Sequence, residues 1–123
     1  MSTTTCVVKR FEQPDETRPF AGHGHVDLIE IAGRPVGRGE FEPGWRWSND
    51  VKPIAGTDSC QVFHVGYCLS GRMRVHMDDG SQTEIGAGDL VAIPPGHDAE
   101  VVGEETCVLL EFGEARDYAK PAE

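Results

Sequence analysis

Residues 88–97 read GDLVAIPPGH: a glycine turn, a short apolar run, then a Pro-Pro-Gly corner that ends in His97. Proline locks its own φ, has no amide hydrogen to donate and biases the preceding residue toward extended geometry, so no helix passes through this corner. What remains is a short strand that turns sharply and delivers a histidine. The same punctuation recurs along the chain. Runs at 26–31, 36–41, 60–69, 72–77, 82–85, 90–93, 100–102 and 107–112 are separated by corners such as Glu42-Pro43-Gly44, Ser70-Gly71, Asp78-Asp79-Gly80 and Gly86-Ala87-Gly88. Asp79-Gly80 is a hairpin signal, because such turns need positive φ. Trp45-Arg46-Trp47 alternates large, charged, large, as a half-buried strand does. Residues 51–58 read as a loop, with Pro53 and Gly56, and only 114–119 looks helical. Roughly nine short strands with almost no helix predict an all-β sandwich or barrel.

A chain of 123 residues suits a single domain. The pattern divides it into a tail or docking segment at 1–22, a barrel at 23–115 and a second tail at 116–123. No apolar run approaches the roughly 20 residues of a membrane span. The first residues lack the apolar core of a secretory leader, so the expectation is a cytoplasmic protein with no membrane partner. With 21 acidic against 11 basic residues the formal net charge is −10, which excludes a nucleic-acid footprint of clustered Lys and Arg. Cys6, Cys60, Cys68 and Cys107 form no Cys-x-x-Cys pair, so a zinc ribbon or thioredoxin-like motif is not expected. Cys68 and Cys107 lie in apolar strands and read as small core residues. Cys60, in TDSCQ, has polar neighbours.

The corner at Gly88, Pro94 and Gly96 resembles the second motif of the cupin superfamily, which runs G, five residues, P, any, G, two residues, H, three residues, N. The family histidine falls at Ala99 and its asparagine at Gly103. His97 comes two places early, on the same face as position 99 by the period of two. The first cupin motif ends in E, six residues, G. Counted back from Gly71, the glutamate place is held by His64, and the family's H-x-H falls on Asp58 and Cys60. The resemblance covers roughly residues 36–112 and implies a double-stranded β-helix, or jelly-roll, barrel.

On that reading Cys60, Val62 and His64 share a strand face. Cys60, His64, Asp58 and His97 then form a non-standard ligand set for one divalent metal: zinc, iron, nickel or manganese. The resemblance implies dioxygenase, isomerase or lyase chemistry. The alternative is a metal-free ligand-binding or sensor module. There a small molecule sits between Trp47, His64 and His97, His64 is a cavity histidine hydrogen-bonded to Tyr67 or Trp47, and Cys60 is inert. His97 serves as a ligand or a substrate contact, whereas Asp98, one residue on, points away. Trp45 and Trp47 supply a pocket wall, or else pack one in the core and one at a dimer interface. Tyr67 leans toward packing between sheets. His23 and His25 read as surface residues despite their H-x-H spacing, and His76 as solvent-facing. Small jelly-rolls commonly pair, and Val7, Val8, Phe11 and Phe20 need cover, so a homodimer is expected.

Overall fold

Each run bounded by a turn becomes a strand. A computed structural model, which describes residues 5–121, contains β1 (Glu16–Pro19), β2 (Gly24–Ile31), β3 (Arg34–Phe41), β4 (His64–Ser70), β5 (Arg72–Met77), β6 (Gln82–Gly86), β7 (Leu90–Ile93), β8 (His97–Val101) and β9 (Cys107–Glu111). Two one-turn helices, α1 (Trp47–Asp50) and α2 (Lys52–Ala55), fill the connection from β3 to β4. Six strands form an antiparallel sheet in the order β1-β2-β3-β9-β4-β7, and three form another in the order β6-β5-β8. The last strand lies between the third and the fourth, so the chain passes repeatedly from sheet to sheet. This is the jelly-roll pattern predicted from the sequence.

The two inner faces make the core by simple alternation. Val26, Leu28, Phe41, Cys68, Ile93 and Cys107 face inward from the larger sheet, and Met73, Val75, Ile85 and Ala99 from the smaller; all are buried. Cys68 and Cys107 are fully enclosed, as their apolar strands predict.

Several local expectations change, each for a packing reason. Trp45-Arg46-Trp47 is not a strand. Arg46 makes a single bridge to Glu100, and Trp47 opens α1. Both indoles are nevertheless in the core, each 2% exposed: Trp45 reaches it from the turn before the helix and Trp47 as the first helical residue. The Asp50 carboxylate accepts the Arg46 amide at 3.0 Å and closes the turn. Residues 51–58 are not all loop: Pro53 sits in the first turn of α2, where its missing amide is no loss, and Gly56 ends the helix at φ 77°. The long strand expected at 60–69 begins only at His64; Cys60 keeps one isolated bridge, to His97. The helix expected at 114–119 is a 3-10 turn over Ala115–Asp117. Tyr67 does not pack between sheets. It stands on the outer face of β4, 38% exposed.

Within the first segment, β1 pairs with β2 of the same chain, and Phe20 packs against Phe41 with ring centroids 5.4 Å apart. Val7 and Val8 remain exposed. Among the described residues no helix is long and apolar enough to cross a membrane.

Gly71 joins β4 to β5 at φ 73°, and a Cβ placed there meets the Cys107 backbone at 2.6 Å and the Thr106 carbonyl at 2.7 Å. Gly88 has a similar φ of 92° but open space around it. Gly71→Ala is therefore expected to cost about 3 kcal/mol and Gly88→Ala about 1 kcal/mol, read as urea unfolding midpoints. Equal costs would show that φ, not the close approach of β9, sets the requirement at Gly71.

Candidate functional site

The Pro-Pro-Gly corner ends at Gly96, φ 93°, and β8 starts at once with His97. Its backbone bridges to Cys60. The Cys60 amide donates to the His97 carbonyl at 2.7 Å, and the Gly96 amide donates to the Cys60 carbonyl at 2.8 Å. His64 opens β4 opposite Ile93, the last residue before the corner. A bridge and a strand pairing thus carry three side chains from distant parts of the sequence to one place. One donor atom each of Cys60, His64 and His97 lies within 4.8 Å of the other two. Cys60 Sγ is 3.5 Å from His64 Nε2, and the two imidazole centroids are 5.2 Å apart. Cys60 and His97 are buried, and the His64 side chain keeps 12% exposure.

Both imidazoles are held from behind. His97 Nδ1 donates to the Pro94 carbonyl at 2.8 Å, so the corner that positions the ring also sets its tautomer. His64 Nδ1 donates to the Glu111 carboxylate, whose other oxygen accepts the Val65 and Gly113 amides at 3.1 Å each. With each Nδ1 engaged, each Nε2 is the nitrogen left to face the thiol, the arrangement in which outer hydrogen bonds orient metal-binding histidines. Burial works against a charged Cys60, but hydrogen bonds from His64 and His97, reinforced by their charge, outweigh it and lower the thiol to about 6. Burial likewise opposes a charged His64, and the hydrogen bonds with Cys60 and Glu111, with their negative charge, raise it to about 9. Cys68 and Cys107 behave in the opposite way: burial is the leading cause and pushes both thiols up.

The residues singled out in the sequence divide clearly. Cys60, His64 and His97 converge. Asp58 does not join them. Its side chain is fully exposed and lies 4.0 Å from Lys52, because the turn after Gly56 carries it outward before the bridge at Cys60 is made. His64 hydrogen-bonds neither Tyr67 nor Trp47; its partner is Glu111. Trp47 lines the cavity beside the histidines. Asp98 points away, accepting the Ser48 amide at 3.0 Å. His23 pairs with Asp50 at the surface, and His25 lies between Asp27 and Glu40 on the outside of the larger sheet. His76 is less open than expected, 23% exposed and 2.5 Å from Glu100. Glu111 and Tyr118 were missed. Alternation offered a signal for the first, since position 111 shares the inward face of Cys107 and Leu109. Nothing in the local sequence distinguished Tyr118, whose ring packs on His64 at 5.1 Å.

A cupin-domain family model matches residues 60–113, the stretch from Cys60 through Glu111. This match and the cupin-like structures support a small cupin-superfamily domain. Solved structures agree on the fold. An RmlC-like cupin from Shewanella frigidimarina is 17% identical, with TM-score 0.60 over 92% of this chain and 96% of that one. The polyketide cyclase RemF from Streptomyces resistomycificus is 19% identical, with TM-score 0.62 over 90% and 80%. A cupin-like protein from Thermotoga maritima is 18% identical, with TM-score 0.54 over 79% and 72%. No curated protein matches the chain.

Cupins often bind a metal. Here the donor chemistry fits one: a low-pKa thiol and two imidazoles oriented by carbonyl and carboxylate acceptors suit a borderline divalent ion. Glu111 is the support on which this geometry leans most. Glu111→Ala leaves His64 Nδ1 and two amides without their acceptor and is expected to cost about 2 to 4 kcal/mol in a urea unfolding curve. A loss under about 1 kcal/mol would show that solvent replaces the carboxylate freely.

Proposed function

We propose that this cupin domain holds one divalent metal on Cys60, His64 and His97 and binds a small molecule in the barrel beside it. The observation that carries this reading is the convergence of two oriented histidines on one thiol. A cysteine nucleophile paired with a base needs one imidazole; a second, with its own orienting carbonyl, is explained by a shared ion. When bound, the metal supplies a Lewis acid that polarises an oxygen of the ligand. The protein supplies the rest. The Cys60 thiolate contributes the negative charge, and its softness favours zinc, iron or nickel over manganese. Glu111 and the Pro94 carbonyl hold the two rings. Trp47, His64 and His97 border the cavity where the small molecule makes contact. A cytoplasmic setting agrees with three buried cysteines that remain free thiols.

Wild-type protein purified without added metal and then offered zinc, iron, nickel or manganese is expected to retain about one ion per chain by elemental analysis. Cys60→Ala and His64→Ala lose it, and Asp58→Ala keeps it. Failure of the wild type to retain any of the four metals overturns the assignment in favour of a metal-free binding module.

For the homodimer we propose an apolar patch on the larger sheet as the pairing surface. Val65, Tyr67, Leu69, Leu90 and Phe112 stand exposed on the outside of β4 and β7 and just past the end of β9. A chain of net charge −10 repels its own copy except where such an apolar face meets its symmetry mate. Light scattering at micromolar concentration is expected to give a dimer for the wild type and a monomer for Leu69→Glu; a wild-type monomer refutes this pairing.

A further inference from the structure

Residues 113–119 leave the larger sheet at the end of β9 and fold across one end of the barrel. Ala115, Tyr118 and Ala119 are buried there. Tyr118 goes deepest. Its ring lies edge-on to His64, with centroids 5.1 Å apart, and edge-on to Phe20 at 6.1 Å. On one side of this ring is the barrel cavity, about 50 Å³, walled by Phe41, Trp45, Met73, Val91, Ile93 and Leu109. On the other is a second cavity of about 290 Å³ that reaches Cys60 and has a polar rim including Gln61, Glu114 and Lys120. Tyr118 and Trp47 line both. The tyrosine therefore stands as a partition between an outer vestibule and an inner apolar chamber, next to the Cys-His-His cluster.

Two features make this partition more than core packing. The inner chamber is too small for any ring while Tyr118 stays, since a cavity that takes benzene is on the order of 150 Å³. One of its lining residues also carries a polar group without a partner: the indole nitrogen of Trp45, buried in the wall, has no hydrogen-bond acceptor among the described residues. A chamber walled by aromatic and aliphatic side chains, with an unsatisfied donor in its wall, suits a small aromatic molecule that carries an oxygen acceptor. The group already lodged at its mouth is a phenol.

The segment that holds this phenol is tied down at the surface. Arg18 donates to the Arg116 and Tyr118 carbonyls at 2.8 and 2.6 Å, Arg116 pairs with Glu30 at 2.5 Å, and Glu114 accepts the Phe63 amide at 2.9 Å. The exposed Arg116–Glu30 ion pair contributes little, and the other ties are single hydrogen bonds to or from backbone groups. Ala119 sits at φ 53°, a left-handed conformation that alanine disfavours. A short segment with weak outer ties and local backbone strain belongs to the part of a fold that opens most easily.

We infer that Tyr118 is the chain's own occupant of a site for phenol-sized aromatic ligands, and that residues 113–119 swing aside to admit one. This rests on the barrel being the small-molecule site, as proposed above, but not on the presence of a metal. While the strap is closed, the apparent affinity for an external phenol is reduced by the fraction of open protein. Removing the tyrosine ring abolishes that competition and enlarges the chamber.

The test uses 4-fluorophenol as probe, with binding to the full chain read by fluorine NMR on both metal-free and zinc-treated protein. Tyr118→Ala is expected to bind the probe about tenfold tighter than wild type. Arg116→Ala, which leaves every cavity wall in place and cuts a surface tie of the strap, is expected to tighten it about threefold and provides the reading if Tyr118→Ala does not fold. Cyclohexanol, similar in size but without a π face, is expected to compete at least about tenfold more weakly than phenol. Unchanged affinity in both variants, no saturable binding in any protein, or equal competition by cyclohexanol overturns the inference. Metal content after exposure to zinc, iron, nickel or manganese keeps the two readings separate: tight probe binding with none of the four retained defeats the metal assignment alone, and metal retention without probe binding defeats this one alone.

Discussion

The backbone bridge between Cys60 and His97 is the contact on which the site depends. It consists of short hydrogen bonds between a loop residue and the first residue of β8, yet it brings a thiol from one connection against an imidazole from another. The Pro-Pro-Gly corner makes it possible. The corner turns β7 into β8 tightly enough for His97 to face inward at once, and the Pro94 carbonyl then fixes the ring by accepting from Nδ1. His64 arrives by an independent route, the pairing of β4 with β7. The cluster is thus a product of two sheet connections, and it inherits their rigidity.

A second layer decides what the cluster can do. Glu111 comes from β9, which lies between β3 and β4 in the larger sheet. Its carboxylate holds the His64 ring and caps two backbone amides with the same group. Burial disfavours charge on Cys60 and His64 alike, so a thiolate and an imidazolium persist there only because each stabilises the other and Glu111 and His97 assist. A divalent ion satisfies the same electrostatic demand. Tyr118, buried against this pair, finds its phenol pushed well up by burial and by the negative charge of Cys60 and Glu111, and so stays neutral at the mouth of the barrel.

The motif-based reading placed side chains together where backbone geometry and sequence spacing coincide. His97, two places early for a cupin histidine, shares the inward face with Ala99 because β8 has already begun at 97. Cys60 and His64 met as expected, although not by sharing a strand face, since the strand starts only at His64. Asp58 failed because counting along a motif assumes regular extended chain, and residues 56–63 are a turn and a loop. The tryptophans failed as a strand for a related reason: alternation describes only one way to bury side chains, and here Trp45 is buried from a turn and Trp47 from the first residue of a one-turn helix.

The sequence by itself determined an all-β sandwich or barrel, and the resemblance of its motifs to the cupins narrowed this to a jelly-roll. Its strands are short and punctuated by glycine and proline at positions where the backbone has few other options, and such local constraints survive without knowledge of the neighbours. The inward alternation of β5, β8 and β9 followed from the same period of two. Tertiary structure alone decided that Glu111 backs His64, that Asp58 is outside, and that Tyr118 closes the chamber. The Glu111 and Tyr118 contacts with His64 join residues 47 and 54 positions apart in the chain, and Asp58 lies outside because the backbone bridge at Cys60 fixes how the preceding turn is carried. Local propensity carries no information about such meetings; they are set by which strands become neighbours and by what the last residues find uncovered when the barrel closes.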